Sequence, residues 1–250
     1  MSAGELRPYW QSADGSLTVY HAPCEAVIAA GLVPVDDVSL IHDDPPYGIG
    51  HKTLDRSAGK GKRVGRARKY APLENNDKPY DPSPLLALGR PTVLWGANHY
   101  ADKLPSSPSW ILWDKRCETP PDNNSDGELA WCSPDGPWGK SVRIFRHLWR
   151  GLIRASENDA VHLHPTQKPK ALVSFVFQRA KLKRGDLVFV PHAGSLPEGP
   201  VCQAMGLRLI ACEVSREHCD TAISRLGAIT ADRAAEPCGP LFAAVEPVRK

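Results

Sequence analysis

Val38-Ser39-Leu40-Ile41-His42-Asp43-Asp44-Pro45-Pro46-Tyr47-Gly48 is an apolar run that ends on two acids and two prolines. A short run without polar alternation is the mark of a strand buried on both faces. The two prolines fix the backbone, remove two ladder donors and make a rigid turn. A carboxylate is therefore expected at the carboxyl edge of a parallel sheet, where open α/β sheets hold ligands. A carboxylate and a backbone carbonyl in such a turn are suited to accept both N–H groups of an exocyclic amine, pushing its nitrogen toward tetrahedral geometry. Pro46 stiffens the turn, and Tyr47 offers a flat face for a base to stack on. Such a pocket reaches its target only when the base leaves the helix. Four residues of this kind are also compatible with an ordinary turn, so the surroundings decide.

Other short apolar runs repeat the strand pattern: Ser16 to Tyr20, Pro91 to Trp95, Leu187 to Val190 and Leu207 to Ala211. Between them, Lys168 to Leu182 and Ser215 to Leu226 carry apolar residues at helical spacing. Strands alternating with helices predict an α/β fold, a doubly wound and mostly parallel sheet. The 250 residues suffice for a single domain. The stretch from about Ser106 to Arg150, rich in Pro, Trp, Asn and Asp, reads as an irregular insertion. Its tryptophans at 110, 113, 131, 138 and 149 are more readily packed together than stacked on bases.

The chain is 42% hydrophobic and 24% charged, values that favour neither disorder nor a membrane class. No apolar run approaches the roughly 20 residues of a membrane span, and the first residues lack a signal-peptide core, so a cytoplasmic protein with no membrane partner is expected. Seven scattered cysteines without a Cys-x-x-Cys pair read as reduced thiols, and no metal site is expected. The net charge of +3 says little, but its distribution says more. Between His51 and Tyr70, eight basic residues face the single acid Asp55. Glycines at 59, 61 and 65 suggest a mobile loop, and Lys52, Lys60, Lys62, Arg63, Arg66 and Arg68 could order on a phosphate backbone.

The Asp-Pro-Pro-Tyr motif at 44–47, together with His164-Pro165-Thr166-Gln167-Lys168-Pro169, resembles the amino-DNA methyltransferases. The likeness is to the group in which the catalytic motif comes first, the target-recognition segment second and the cofactor motif last. Trp95-Gly96-Ala97-Asn98, Trp110-Ile111-Leu112-Trp113-Asp114-Lys115 and Phe145-Arg146-His147-Leu148-Trp149-Arg150-Gly151 are similar to phage and prophage members. The resemblance implies a Rossmann-like class I methyltransferase fold, S-adenosylmethionine as donor, duplex DNA as partner and adenine N6 as target. An Asp at position 44 favours adenine, since cytosine-N4 enzymes more often carry Ser there. It also implies target recognition in 106–150 and donor contacts from His192, Ala193, Gly194, Ser195 and Glu213, with Thr166 and Lys168 beside them. Direct transfer from sulfonium to nitrogen needs no metal.

The family's donor loop reads Asp-Pro-Phe-x-Gly-Ser-Gly-Thr-Thr, where this chain has Val190-Pro191-His192-Ala193-Gly194-Ser195-Leu196-Pro197-Glu198. Leu196 replaces a glycine that permits close approach or positive φ. Val190 removes an acid expected near the donor's ammonium, and Pro23 stands where an acid usually reads the donor's adenine. Three readings follow: an active enzyme with altered donor contacts; a DNA-binding subunit that has lost the donor; and an enzyme using another donor on a flipped base. A homodimer and a partner methyltransferase subunit are both compatible with the chain. A DNA-binding module without catalysis would need only the basic loop and the insertion. An RNA methyltransferase would share the motif, while a protein substrate fits the basic loop poorly.

Overall fold

A computed structural model of the chain describes residues 6–48, 77–120, 125–150, 153–157 and 167–232, with side chains of the last helix described to 227. The basic segment 51–70 and Thr166 lie outside these residues. In chain order the elements are β1 (Trp10–Gln11), β2 (Leu17–His21), α1 (Cys24–Ala29), β3 (Val38–Asp43), α2 (Ser83–Leu86) and β4 (Thr92–Trp95). Next come β5 (Trp110–Asp114), β6 (Gly127–Cys132), β7 (Val142–Arg146), β8 (Trp149–Arg150), β9 (Ile153–Arg154) and α3 (Lys170–Arg179). The chain continues with β10 (Leu187–Val190), α4 (Glu198–Met205), β11 (Arg208–Glu213) and α5 (Arg216–Asp232).

The main sheet has the order β1-β2-β11-β10-β3-β4-β6-β5-β7. β2, β11, β10, β3 and β4 run parallel. β6 is antiparallel to both β4 and β5, and β1 closes the other side antiparallel to β2. The strands at the centre, β3, β10 and β4, are buried on both faces because helices cover both. Leu40, Val93, Trp95, Val188 and Val190 face a core completed by Leu172, Val176 and Phe177 of α3, Val201 of α4 and Leu226 of α5. Ile41, Leu94 and Phe189 face the other way, onto Val27 of α1 and Leu85 of α2.

The segment 106–150 is not irregular, as its composition suggested. β5, β6 and β7 extend the main sheet in register, with Trp110 opposite Trp131 and Trp110 opposite Val142. Among the described residues, Pro108, Pro120, Pro134 and Pro137 fall in the connections, and β6 lacks the alternation by which a strand is recognised. The tryptophans pack: Trp113 and Trp131 are fully buried, and the indole N–H groups of Trp110, Trp113, Trp131, Trp138 and Trp149 all donate to backbone carbonyls. Among the described residues six cysteines are free thiols, no group of three His, Cys, Asp or Glu could hold a metal, and no helix is long and apolar enough to cross a membrane.

From β10 the chain turns through α4 to β11 on one side, while β3 feeds through α2 to β4 on the other. The order therefore reverses between β10 and β3, and a crevice opens at their carboxyl ends. A buried polar chain ties this region together. The Trp95 indole donates to His42 Nε2 at 2.9 Å, which leaves the His42 proton on Nδ1, and Nδ1 donates to Glu198 Oε1 at 2.8 Å. Strands β3 and β4 are thus joined to the first residue of α4. Glu198→Ala should cost about 2–4 kcal/mol because it strands a buried donor, whereas Glu198→Gln, which keeps an acceptor, should cost less than half of that. Urea unfolding of both variants measures the difference, and equal losses would mean that a neutral acceptor at this position does not replace the carboxylate.

Candidate active site

β3 ends by delivering Asp43 and Asp44 to the crevice, and the prolines that follow end its ladder. Pro45 is buried and Pro46 half-buried. The Tyr47 hydroxyl donates to Asp44 Oδ1 at 2.5 Å, and the Tyr47 ring stacks on His99, centroids 5.1 Å apart at 18°. Gly96 makes this placement possible. Its φ is +64°, and a Cβ there would lie 2.1 Å from the Tyr47 ring.

The other Asp44 oxygen is taken by Lys168. Its Nζ lies 2.5 Å from Asp44 Oδ2 and 3.2 Å from Glu128 Oε2 of β6, and it sits 5.4 Å from the Trp95 ring centre. Lys115 of the segment after β5 holds Glu128 Oε1 at 2.6 Å. Two carboxylates and two ammonium groups therefore alternate in a chain. Burial pushes the Asp44 carboxyl above its ordinary value, with Lys168 pulling back and Glu128 adding to the rise. Burial acts the same way on Glu128, but Lys168 and Lys115 outweigh it and bring that carboxyl down to about 2. Lys168 is raised, because the two carboxylates overcome its burial. It stays an ammonium, Glu128 carries the firm negative charge, and Asp44 is the member most easily protonated.

Across the crevice, the residues after β10 form a tight turn in which the Leu196 N–H donates to the Ala193 carbonyl at 2.7 Å. Gly194 lies at φ +50°, and Leu196 takes φ +49°. A leucine thus holds a left-handed backbone in this turn, and its side chain turns into the core and is fully buried. Glu213, at the end of β11, accepts from the Gly194 N–H at 2.8 Å and the Ser215 N–H at 2.8 Å. Burial works against its charge, but hydrogen bonds from His218 and these amides hold it below the usual range. Ser195 is buried, and both its carbonyl and Oγ accept from Arg225 of α5.

His192 joins the two sides. Its Nδ1 donates to Asp43 Oδ1 at 2.9 Å, and the Tyr80 hydroxyl donates to Asp43 Oδ2 at 2.9 Å, so a fully buried carboxylate has a donor on each oxygen. Burial alone would lower the His192 imidazole, but Asp43, with Glu213 and Glu25 behind it, holds it above its ordinary value. His192 also lines a cavity of about 190 Å³ together with Cys24, Glu25, Ile28, Tyr80 and Leu85.

The structure brings Asp44, Pro45, Pro46 and Tyr47 together on one side of the crevice, and His192, Ala193, Gly194, Ser195 and Glu213 on the other. Lys168, expected beside the donor loop, reaches Asp44 instead. Thr166, Lys52, Lys60, Lys62, Arg63, Arg66 and Arg68 lie outside the described residues. Sequence reasoning missed Asp43, Lys115, Glu128 and Arg225. The available signal was a run of ionisable residues, His42 and Asp43, inside an otherwise apolar strand.

A parallel sheet with reversed order and a proline-fixed carboxylate at the switch point defines a protein of the class I methyltransferase architecture. The family model described as DNA methylase matches residues 92–224, just over half of the chain, and the chain belongs to that family. Asp44 precedes the matched segment. The chain is 29% identical over 118 residues to the type II methyltransferase M2.DpnII of Streptococcus pneumoniae, covering 47% of this chain and 41% of that protein. It is 38% identical over 68 residues to the DNA adenine methyltransferase YhdJ of Escherichia coli strain K12, covering 27% and 23%. It thus spans under half the length of these curated relatives. Among solved structures, the M1.HpyAVI–SAM complex aligns with a TM-score of 0.51 at 20% identity, over 84% of this chain and 100% of the other. The cytosine-N4-specific PvuII DNA methyltransferase aligns at 0.54 and 14%, over 91% and 95%. These structural likenesses are likenesses of fold.

Two outcomes follow for the turn after β10. Leu196→Gly should relieve about 1 kcal/mol of left-handed strain but lose a buried side chain worth about 2–5 kcal/mol, for a net loss measurable by urea unfolding. A gain in stability would mean that strain dominates. The raised His192 imidazole contributes stability that is full below its unfolded value of about 6.5 and is lost as pH rises through the folded value. The difference in Tm between the wild type and His192→Gln should accordingly be largest near about pH 6 and shrink toward about pH 9. A difference independent of pH would show that the imidazole is not charged there.

Proposed function

We propose that the chain transfers a methyl group from S-adenosylmethionine to adenine N6 in duplex DNA. The observation that carries this reading is Asp44, held by a proline turn at the switch point, beside Tyr47 and opposite the Gly194 turn. Asp44 and the Pro45 carbonyl accept the two N–H groups of the amine and free the nitrogen lone pair, while Tyr47 stacks on the extrahelical base. The donor supplies an electrophilic methyl group on a sulfonium. As the N–C bond forms and the S–C bond breaks, the amine's proton passes to Asp44, whose raised pKa suits it to receive one. The chemistry calls for neither a metal nor a covalent intermediate on the protein.

The residues present fit the donor. Leu196 keeps the turn's left-handed geometry with its side chain in the core, so the crevice is not filled. The neighbouring cavity has apolar walls at Ile28 and Leu85 and carboxylates at Glu25 and Asp81, a combination suited to a flat, cationic ligand. The His192 charge opposes that cation and is offset by Asp43. Adenine is favoured by the acid at position 44 and by the name of the relative YhdJ. Phosphate contacts are assigned to Lys52, Lys60, Lys62, Arg63, Arg66 and Arg68, and target recognition to 106–150.

Isothermal titration with S-adenosylmethionine, with and without duplex DNA, should show micromolar binding; none under either condition would sink the reading. Asp44→Ala should lower methyl transfer at least about 100-fold while duplex binding persists. Transfer unaffected by that substitution would remove Asp44 from the chemistry.

A further inference from the structure

The carboxylate that must receive the target amine is already engaged. Asp44 Oδ1 accepts from Tyr47, Oδ2 is held by Lys168 at 2.5 Å, and one face of the Tyr47 ring is stacked on His99. An amine cannot use Asp44 fully until Lys168 gives up its place. Lys168 is 4% exposed, so moving it into water would mean leaving a buried site between two carboxylates. A second acceptor stands within reach of the same Nζ. Glu128 Oε2 is 3.2 Å away and buried, yet meets hydrogen-bond geometry with none of the described residues, while Lys115 clamps Glu128 by its other oxygen.

We propose that Lys168 is a two-position latch, holding Asp44 while the base pocket is empty and shifting onto Glu128 Oε2 when an extrahelical amine takes its place. The inference rests on the reading of Asp44 as the amine acceptor. The exchange moves no net charge in or out of the site, because a neutral amine replaces the ammonium on Asp44 and Lys168 keeps a carboxylate. A short shift turns the 3.2 Å ion pair with Glu128 Oε2 into a hydrogen bond, which offsets the lost Asp44 contact. The exchange also changes what Asp44 can do. With the cation withdrawn, the carboxylate becomes a stronger proton acceptor at the moment when the amine must lose a proton. Lys168 is thus a positioning residue that readies Asp44 only when the pocket is filled, and Glu128 is its resting place in the filled state.

The neutral isostere Asp44→Asn removes the charge of the closed-state partner without removing bulk, so its crystal structure should show Lys168 Nζ withdrawn from residue 44 and hydrogen-bonded to Glu128 Oε2. An Nζ that stays on residue 44 would overturn the latch. In steady-state assays with tritiated S-adenosylmethionine and duplex DNA, Glu128→Gln should lower kcat about tenfold or more while the duplex Kd and the donor KM stay within about twofold. A merely structural role would lower the folded fraction or shift all three, and an unchanged kcat would also overturn the proposal. If the wild type transfers no methyl group at all, the activity fails, and the Asp44→Asn structure still decides whether the lysine has two positions.

Discussion

The pairing of β3 beside β10, sealed at its carboxyl end by the hydrogen bond from His192 to the buried Asp43, is the constraint on which the site depends. Neither strand carries the chemistry by itself. One brings the Asp-Pro-Pro-Tyr turn, the other brings the glycine turn, and only their adjacency makes a crevice between them. A carboxylate as buried as Asp43 is tolerated because His192 and Tyr80 each donate to one of its oxygens. Removing one partner from a buried ionic contact costs about 3–5 kcal/mol, so the geometry at the mouth of the crevice is tightly held.

The departures from the family's donor loop look like damage in the sequence and like matched substitutions in the fold. His192 meets Asp43, Glu198 meets His42, and Leu196 adopts the left-handed backbone while turning its side chain into the core. Changes that break a local rule while finding a buried partner are what a working structure accumulates at a functional site. Arg225 adds to the pattern by occupying both acceptors of Ser195. The loop is held from behind by protein contacts, so its shape does not depend on the glycine and threonines it lacks.

The side of the crevice that carries Asp44 follows the same physics. A single buried lysine shared by Asp44 and Glu128 keeps two carboxylates in one apolar region, and Lys115 fixes the charge on the farther one. Asp44 is left as the weakest anion of the group, stable enough to fold with and basic enough to use. Site preorganisation and fold stability come from the same four side chains.

The central strands, the flanking helices and the place of Asp44 were legible in the amino-acid order, because burial on both faces and proline chemistry act over a few residues. The hexapeptide ending at Pro169 also made the family resemblance visible. The strands within 106–150 were not legible, since β6 lacks alternation and β5 and β7 exist as strands only through their neighbours. Nor were the partners of His42, Asp43, Glu128 and Ser195, which lie from 13 to 156 residues away along the chain. By itself the sequence determined which groups could hold an amine and where the backbone had to turn. The tertiary structure alone decided which of those groups are charged, paired or free, because that depends on burial and on contacts between residues distant in the chain.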